Sequence, residues 1–369
     1  MGILIGMDEA GYGPNFGPLV VAATAWQVPD EGSRFRVQSS EDGEPASAGG
    51  QAGTATATAV RSVKRQSRDD CVDLYCLLRN IVAKSPSERR VAIADSKVLY
   101  HAGLGLRQLE RGVHAVLLTM RQPLTRWSAI VRFCEADPDG HHQRVCWPDG
   151  FDCPLPVDAA ADELSRLAAR FTRACDACSI RPLAVRARLV FPGEFNDLVA
   201  YYGTKGAALS HVTVGLLREL MDAVFMPVDA AALPPSSFRP PSSVYAVCDK
   251  HGGRNYYTAL LQHHFSESWI QPVFESHEES RYEWGEPESQ IRVTFRMNGE
   301  TFLPTALASM TAKYLRELAM RAFNEFWSAQ VPDLRPTAGY PMDSHRYRKE
   351  IRAAQRKLGI DDHVLWRRR

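Results

Sequence analysis

The clearest pattern in the chain is a series of short apolar runs bounded by turn-forming residues. Residues 3–8 (ILIGMD) and 18–26 (PLVVAATAW) flank a glycine-rich stretch, and they predict two strands joined by a turn. Further strands are predicted at Val91–Ala94, Ser128–Phe133, Val185–Phe191 and Val244–Cys248. Gln290–Met297 alternates apolar and polar positions and runs into Asn298-Gly299, a tight-turn signal. Helical spacing occurs around Cys71–Ile81 and over Leu104–Met120, Asp158–Cys178, Lys205–Phe225, Pro304–Gln330 and Asp343–Leu358. In Asp158–Cys178, the residues Leu164, Leu167, Phe171, Cys175 and Cys178 fall on one apolar stripe.

Strands and helices therefore interleave, with a hairpin at the start and a helix-rich end. That pattern predicts an α/β fold, a mixed sheet covered by helices. Residues 38–62 are small and polar with no period, and the whole of 35–68 is expected to be a disordered insertion. Residues 135–157 are rich in Asp, Gly, Pro and His and read as loop, within an extra insertion over 131–182. A Pro/Ser segment at 234–243 separates a helix from a strand.

Length and composition narrow the class. At 369 residues the chain is long enough for one large domain or two ordinary ones. It is 45% hydrophobic and 24% charged, the balance of a globular protein. No uncharged apolar run reaches the length of a membrane span, and the opening MGILIGMDEAG lacks a basic segment before an apolar one, so a cytoplasmic location is expected. The eight cysteines are spread thinly and read as reduced thiols. Net charge is +1, but residues 344–369 hold nine Lys/Arg against three Asp/Glu, which suits either phosphate contacts or a solvated helix.

The strongest chemical signal is Asp8-Glu9 at the end of the first strand. Adjacent strand residues point to opposite faces, so both reach one site only where the strand ends or bulges. Ala10-Gly11-Tyr12-Gly13-Pro14 supplies such a break, and its glycines let backbone N–H groups approach a sugar-phosphate chain. The glycines lead into a strand and not a helix, which excludes a dinucleotide fingerprint. Phosphodiester hydrolysis needs a nucleophilic water and charge neutralisation, and two divalent ions about 3.5–4 Å apart on carboxylates supply both.

IGMDEAGYGPNFGPLVVAA resembles the opening motif of ribonucleases HII and HIII, and the resemblance continues in order along the chain. Asp95-Ser96-Lys97 looks like the family's DSK element, and Glu194–Met221 is similar to its central loop and helix. Val247-Cys248-Asp249 stands where a strand delivers a third carboxylate. LPTALASMTAKYLRE (303–317) resembles the helix with a fixed lysine and a fourth acid. Gly339-Tyr340-Pro341, with His345 and a basic helix, is similar to the C-terminal signature.

The resemblance implies a ribonuclease H-like mixed β-sheet flanked by helices with a helical C-terminal extension. Residues 1–34 and 69–303 would form the catalytic core, and 304–369 a substrate-binding part of the same domain. It implies a monomeric endonuclease cutting the RNA strand of RNA–DNA hybrids, or ribonucleotide-containing duplex DNA, to leave 5′-phosphate and 3′-hydroxyl ends. Asp8, Glu9, Asp249 and Glu317 would hold two Mg²⁺ or Mn²⁺ ions. Gly11, Tyr12, Gly13, Lys97, Lys313 and Tyr340 would contact the substrate.

The chain departs from the family where Tyr12 replaces an arginine of the glycine turn and where Glu317 replaces an aspartate. A nuclease for another nucleic-acid structure, or a binding protein that kept the fold without the metals, therefore remains open. So do plainer roles for single residues: Asp95 as a helix cap, Glu317 as an ion-pair partner of Lys313 or Arg321, Tyr340 as a packed ring. Cys175-x-x-Cys178, with Cys146, Cys153, His141 and His142 upstream, has the residue types of a zinc site. The place of Cys175 and Cys178 on the apolar stripe favours buried thiols.

Overall fold

A computed structural model describes residues 1–29, 72–101, 103, 105–135, 151–225, 243–286 and 289–368. The insertion expected at 35–68, together with His141, His142 and Cys146, lies outside the described residues. In chain order the elements begin with β1 (Gly2–Ala10), β2 (Leu19–Val28), α1 (Leu74–Leu77), β3 (Val82–Ala83), β4 (Val91–Ala92), α2 (Ser96–Leu99) and α3 (Arg107–Thr119). There follow α4 (Trp127–Cys134), α5 (Ala161–Ala177), β5 (Arg181–Val190), α6 (Pro192–Tyr202), α7 (Lys205–Phe225) and β6 (Ser243–Asp249). The chain continues through α8 (Thr258–His264), β7 (Gln271–Glu275), β8 (Glu279–Trp284) and β9 (Gln290–Arg296). A single 3₁₀ turn (Gly299–Thr301) leads to α9 (Leu303–Gln330), α10 (Pro341–Leu358) and α11 (Asp362–Leu365).

Seven strands form one mixed sheet in the order β5-β2-β1-β6-β9-β8-β7. The strands β1, β6 and β9 run parallel, and the other pairings are antiparallel. The period-2 pattern divides the apolar residues between two faces. Ile3, Ile5, Met7, Val21, Ala23, Val244 and Ala246 join one core with residues of α7 and α8. Leu4, Val20, Ala22, Trp26, Tyr245 and Val247 join the other, with residues of α3, α5 and α9. The central strands are thus buried on both faces, which is why they read as continuous apolar runs.

Helix α9 lies directly on β1 and β2, and Gly6 lets it. A methyl group there would stand 2.0 Å from the Thr305 amide nitrogen and 2.1 Å from the Pro304 carbonyl carbon. Thr24 Oγ1 donates to the Pro304 carbonyl at 2.8 Å, and Thr305 Oγ1 to the Val247 carbonyl at 3.0 Å. The start of α9 is therefore tied to the end of β6, next to Asp249.

Two readings of the sequence need correcting. Ser128–Phe133, expected as a strand, is part of helix α4. Trp127, Ile130, Val131 and Cys134 are its buried residues, a 3.6-residue period in a run short enough to pass for β. Of the helix expected around Cys71–Ile81, the described residues from Val72 on yield only the single turn α1, capped by Asp73, whose carboxylate accepts from the Tyr75 and Cys76 amides. Among the described residues no helix is long and apolar enough to cross a membrane.

Candidate active site

The ends of β1, β6 and β9 converge because these strands are parallel neighbours. Met7 pairs with Cys248 at the end of the β1–β6 register, so Asp8 and Asp249 follow on adjacent strands. Asp249 pairs with Arg296 of β9, and the chain then turns at Asn298, in the left-handed region at φ 57°, to bring up Glu300. The Gly299 amide donates to Asp249 Oδ1 at 3.0 Å and fixes this turn against β6. Carboxylate oxygens of Asp8, Asp249 and Glu300 all lie within 4.8 Å of one another. Asp8 is only 7% exposed.

The electrostatics of this group are those of crowded acids out of water. Burial comes first in raising the Asp8 carboxyl well above the ordinary range, followed by Glu9; Asp249 and Glu300 add to it, and a Ser309 hydrogen bond works against it. Glu9 is pushed up to about 7, by burial first and then by Asp249, with Lys97 pulling the other way. Asp249 and Glu300 are raised as well, again chiefly by burial. Burial alone would lower the Lys97 ammonium, yet Asp95, Glu300, Asp8 and Asp249 raise it overall. Lys97 therefore faces the acids. Asp95 itself caps α2, its carboxylate accepting from the Lys97 amide at 2.9 Å, so this cap sets where that lysine begins.

An all-oxygen set of acids whose charged form is disfavoured by burial and by its neighbours fits a hard divalent cation. Asp8, Asp249 and Glu300 would hold it, with Glu9 beside them. Glu317, expected as the fourth acid, is not in this group. Its carboxylate instead accepts from Tyr100 Oη at 2.8 Å, Lys313 Nζ at 2.7 Å and Arg316 Nη1 at 3.3 Å. The reason is distance along α9. Ser309 of α9 acts on the Asp8 carboxyl, and Glu317 lies eight residues on, about 12 Å along the helix axis. Lys313 is engaged in the same local pair, over the Tyr100 ring. Glu300 had a sequence signal that went unused: it follows the Asn298-Gly299 turn at a strand end, as Glu9 precedes a glycine turn.

The glycine turn is closed from the far end of the chain. Gly11 sits at φ +85°, and an added methyl would meet Arg316 Nε at 2.5 Å and the Pro18 carbonyl oxygen at 2.6 Å. Gly339, at φ +82°, packs on Phe16, and its carbonyl accepts from the Asn15 amide at 2.7 Å. Tyr340, 48% exposed, lies with its ring edge near Gly13. Arg367 is 1% exposed and donates through Nη2 to the Gly11 carbonyl at 2.6 Å, while its amide donates to the Asn15 carbonyl at 2.9 Å. Burial lowers the Arg367 guanidinium to about 9, with Arg316 adding to the effect. Tyr12 leaves this cluster for α7, with Lys205 Nζ 5.5 Å from its ring centre. Arg316 and Arg367 had no signal beyond basic composition.

The zinc reading of the cysteines finds no support among the described residues. Cys175 is buried in the core, its thiol pushed up to about 12 by burial, and Cys178 contacts the Leu77 carbonyl.

No protein-family model matches the chain, and no curated protein does. Among solved structures it is similar to a chain of the PCNA:RNase HII complex from Archaeoglobus fulgidus. That likeness has a TM-score of 0.39 at 13% identity, over 100% of this chain and 94% of that one. It is similar to ribonuclease H2 from Pyrococcus horikoshii, with a TM-score of 0.37 at 13% identity, over 98% of this chain and 92% of that one. It is also similar to Bst-RNase HIII in complex with Mn²⁺, with a TM-score of 0.36 at 14% identity, over 99% of this chain and 65% of that one.

Proposed function

We propose that the chain is a metal-dependent endonuclease of the ribonuclease H type. It would cut the RNA strand of RNA–DNA hybrids, or ribonucleotide-containing duplex DNA, leaving 5′-phosphate and 3′-hydroxyl ends. The observation that carries this reading is the gathering of Asp8, Asp249 and Glu300 at the carboxyl ends of neighbouring strands. The sequence resemblance covers Asp8 and Glu9 on β1 and Asp249 on β6, though not the turn that carries Glu300, and this supports the choice of a nuclease over other metal chemistry.

Bound to these acids, Mg²⁺ or Mn²⁺ supplies a nucleophilic water and charge neutralisation at the phosphate. The residues of the chain do the rest. Asp8, Asp249 and Glu300 would hold the cation, with Glu9 beside them as a further carboxylate. Lys97, exposed and facing the acids, pairs with a phosphate oxygen. The turn at Gly11–Gly13 presents backbone to the sugar-phosphate chain, and the exposed Tyr340 ring offers a face for a sugar or base. Lys313 is paired with Glu317, so a phosphate reaching it must compete with that carboxylate.

The test is cleavage of end-labelled RNA–DNA hybrid in Mg²⁺ or Mn²⁺, beside duplex DNA and a duplex with one ribonucleotide. Cutting confined to RNA-containing substrates, and lost in Asp8→Asn, is the expected result. Cutting of duplex DNA alone would favour a nuclease of another specificity. Undiminished cutting by Asp8→Asn would remove the acidic group from the mechanism, and absence of metal binding in calorimetry would leave a non-catalytic binding protein.

A further inference from the structure

A second cluster of metal-ligating side chains lies on the opposite face of the sheet from α9. His211 of α7 and His263 and His264 at the end of α8 place one ring nitrogen each within 4.8 Å of the others. His211 Nδ1 is 3.1 Å from His264 Nε2. Two nitrogens held at 2.0–2.1 Å by one tetrahedral ion stand about 3.3–3.4 Å apart, so this pair is already close to ligand spacing. A plain imidazole–imidazole hydrogen bond would account for two rings. It gives no reason for the third, His263, whose ring centre lies 5.2 Å from that of His211 and 5.0 Å from that of His264.

The surroundings fix the rings for this purpose. Tyr202 stacks flat on His211, with ring centres 3.9 Å apart and planes 8° from parallel. Gly215, one turn along α7 from His211, leaves space over which His264 lies, the nearest ring carbon 3.5 Å from where a methyl would sit. Glycine in the middle of a long helix costs about 1 kcal/mol relative to alanine. Any side chain larger than a methyl would push His264 away. The nearby Arg218, which donates to the His264 carbonyl, is itself paired with Asp222 and Glu267, so its charge is largely offset.

We propose that His211, His263 and His264 bind one divalent transition ion of the imidazole-preferring kind, of which Zn²⁺ is the representative, leaving a fourth position for water. Three neutral imidazoles suit such an ion, whereas the carboxylate group at Asp8 suits Mg²⁺ or Mn²⁺, so the two sites select different metals. The ion would clamp α8 to α7. Ser210, next to His211, hydrogen-bonds His251 at 3.0 Å, and His251 follows Asp249 by two residues, so the clamp also steadies the loop behind the acidic site.

The full chain, stripped of metal and then supplied with excess Mg²⁺ to fill the carboxylates, is titrated with Zn²⁺ by calorimetry and with Co²⁺ by visible absorption. One equivalent of Zn²⁺ binds, and Co²⁺ gives the intense absorption of a four-coordinate site. His263→Ala, at an exposed position that tolerates truncation, weakens Zn²⁺ by at least about the 10–100-fold that even an outer ligand partner is worth. His211→Ala does the same, and Asp8→Asn leaves the affinity unchanged. Equal affinity in wild type and His263→Ala overturns the proposal, as does loss of the equivalent in Asp8→Asn.

Discussion

Glu300 and Glu317 are chemically identical, and only their neighbours separate their roles. Glu300 sits among carboxylates, while Glu317 is held by a tyrosine, a lysine and an arginine. Glu300→Gln is therefore expected to reduce hybrid cleavage to background with the fold intact. Glu317→Gln keeps its cleavage and loses about 1.5–3 kcal/mol of stability, the worth of a hydrogen bond to a charged group. Parallel cleavage assays and thermal melts distinguish the two, and the reverse pattern would restore Glu317 as the fourth acid. The sequence favours Glu317 because residues 303–317 resemble a family helix carrying a fixed lysine and a fourth acid, and the i, i+4 spacing of Lys313 and Glu317 fits that role. That spacing is equally the signature of an ordinary helical ion pair. Only the distance of that pair from β1 decides, and no residue pattern encodes it.

At the scale of elements, the joint between β1 and α9 governs the site. Gly6→Val would drive a branched side chain into the start of α9, where even a methyl lies 2.0 Å from backbone. Overpacking of this kind costs about 1–3 kcal/mol or more. Because Ser309 and Thr305 ride on the same helix, metal binding should weaken along with stability, read by melts and calorimetry on one sample. A variant with unaltered melting would mean that α9 can give way at no cost.

The strands flanking this joint were legible because burial on both faces makes them plain apolar runs, and Lys205–Phe225 was legible as α7 from its length. The hairpin β7–β8 was not. Its acids are matched by charges placed in space: Glu283 pairs with Arg292 across β8 and β9, and Glu279 pairs with Arg281 two residues along β8. Cross-strand charge pairs leave no period in a single sequence. The three histidines were invisible for a similar reason, since α7 and α8 meet only in space.

At the scale of the whole molecule, the acidic group sets how stability responds to pH and metal. Its carboxyls hold protons more tightly in the folded chain than in the unfolded one. For Glu9 the stabilising contribution is complete below the ordinary glutamate value of 4.5 and is lost as pH rises through about 7. Metal-free protein should therefore lose this contribution between pH about 4.5 and about 7, while added Mn²⁺ stabilises more at the higher pH, where protons no longer compete. At an ion concentration a hundred times its dissociation constant the gain is about 2.7 kcal/mol. Melting curves with Mn²⁺ and with chelator at both pH values provide the check, and a metal effect independent of pH would contradict it.

The bond from Arg367 to Gly11 joins positions 356 residues apart in the chain. At ribosomal speeds of about 5–20 residues per second, the anchor is made on the order of 20–70 s after the turn it holds. The four acids are all synthesised before it, so an unfinished copy would possess its chemistry before its grip on nucleic acid. Removing residues 363–369 should reproduce that state, with Mn²⁺ still bound and hybrid released. On the proposed function, such an order of assembly would leave an unfinished copy unable to hold a strand.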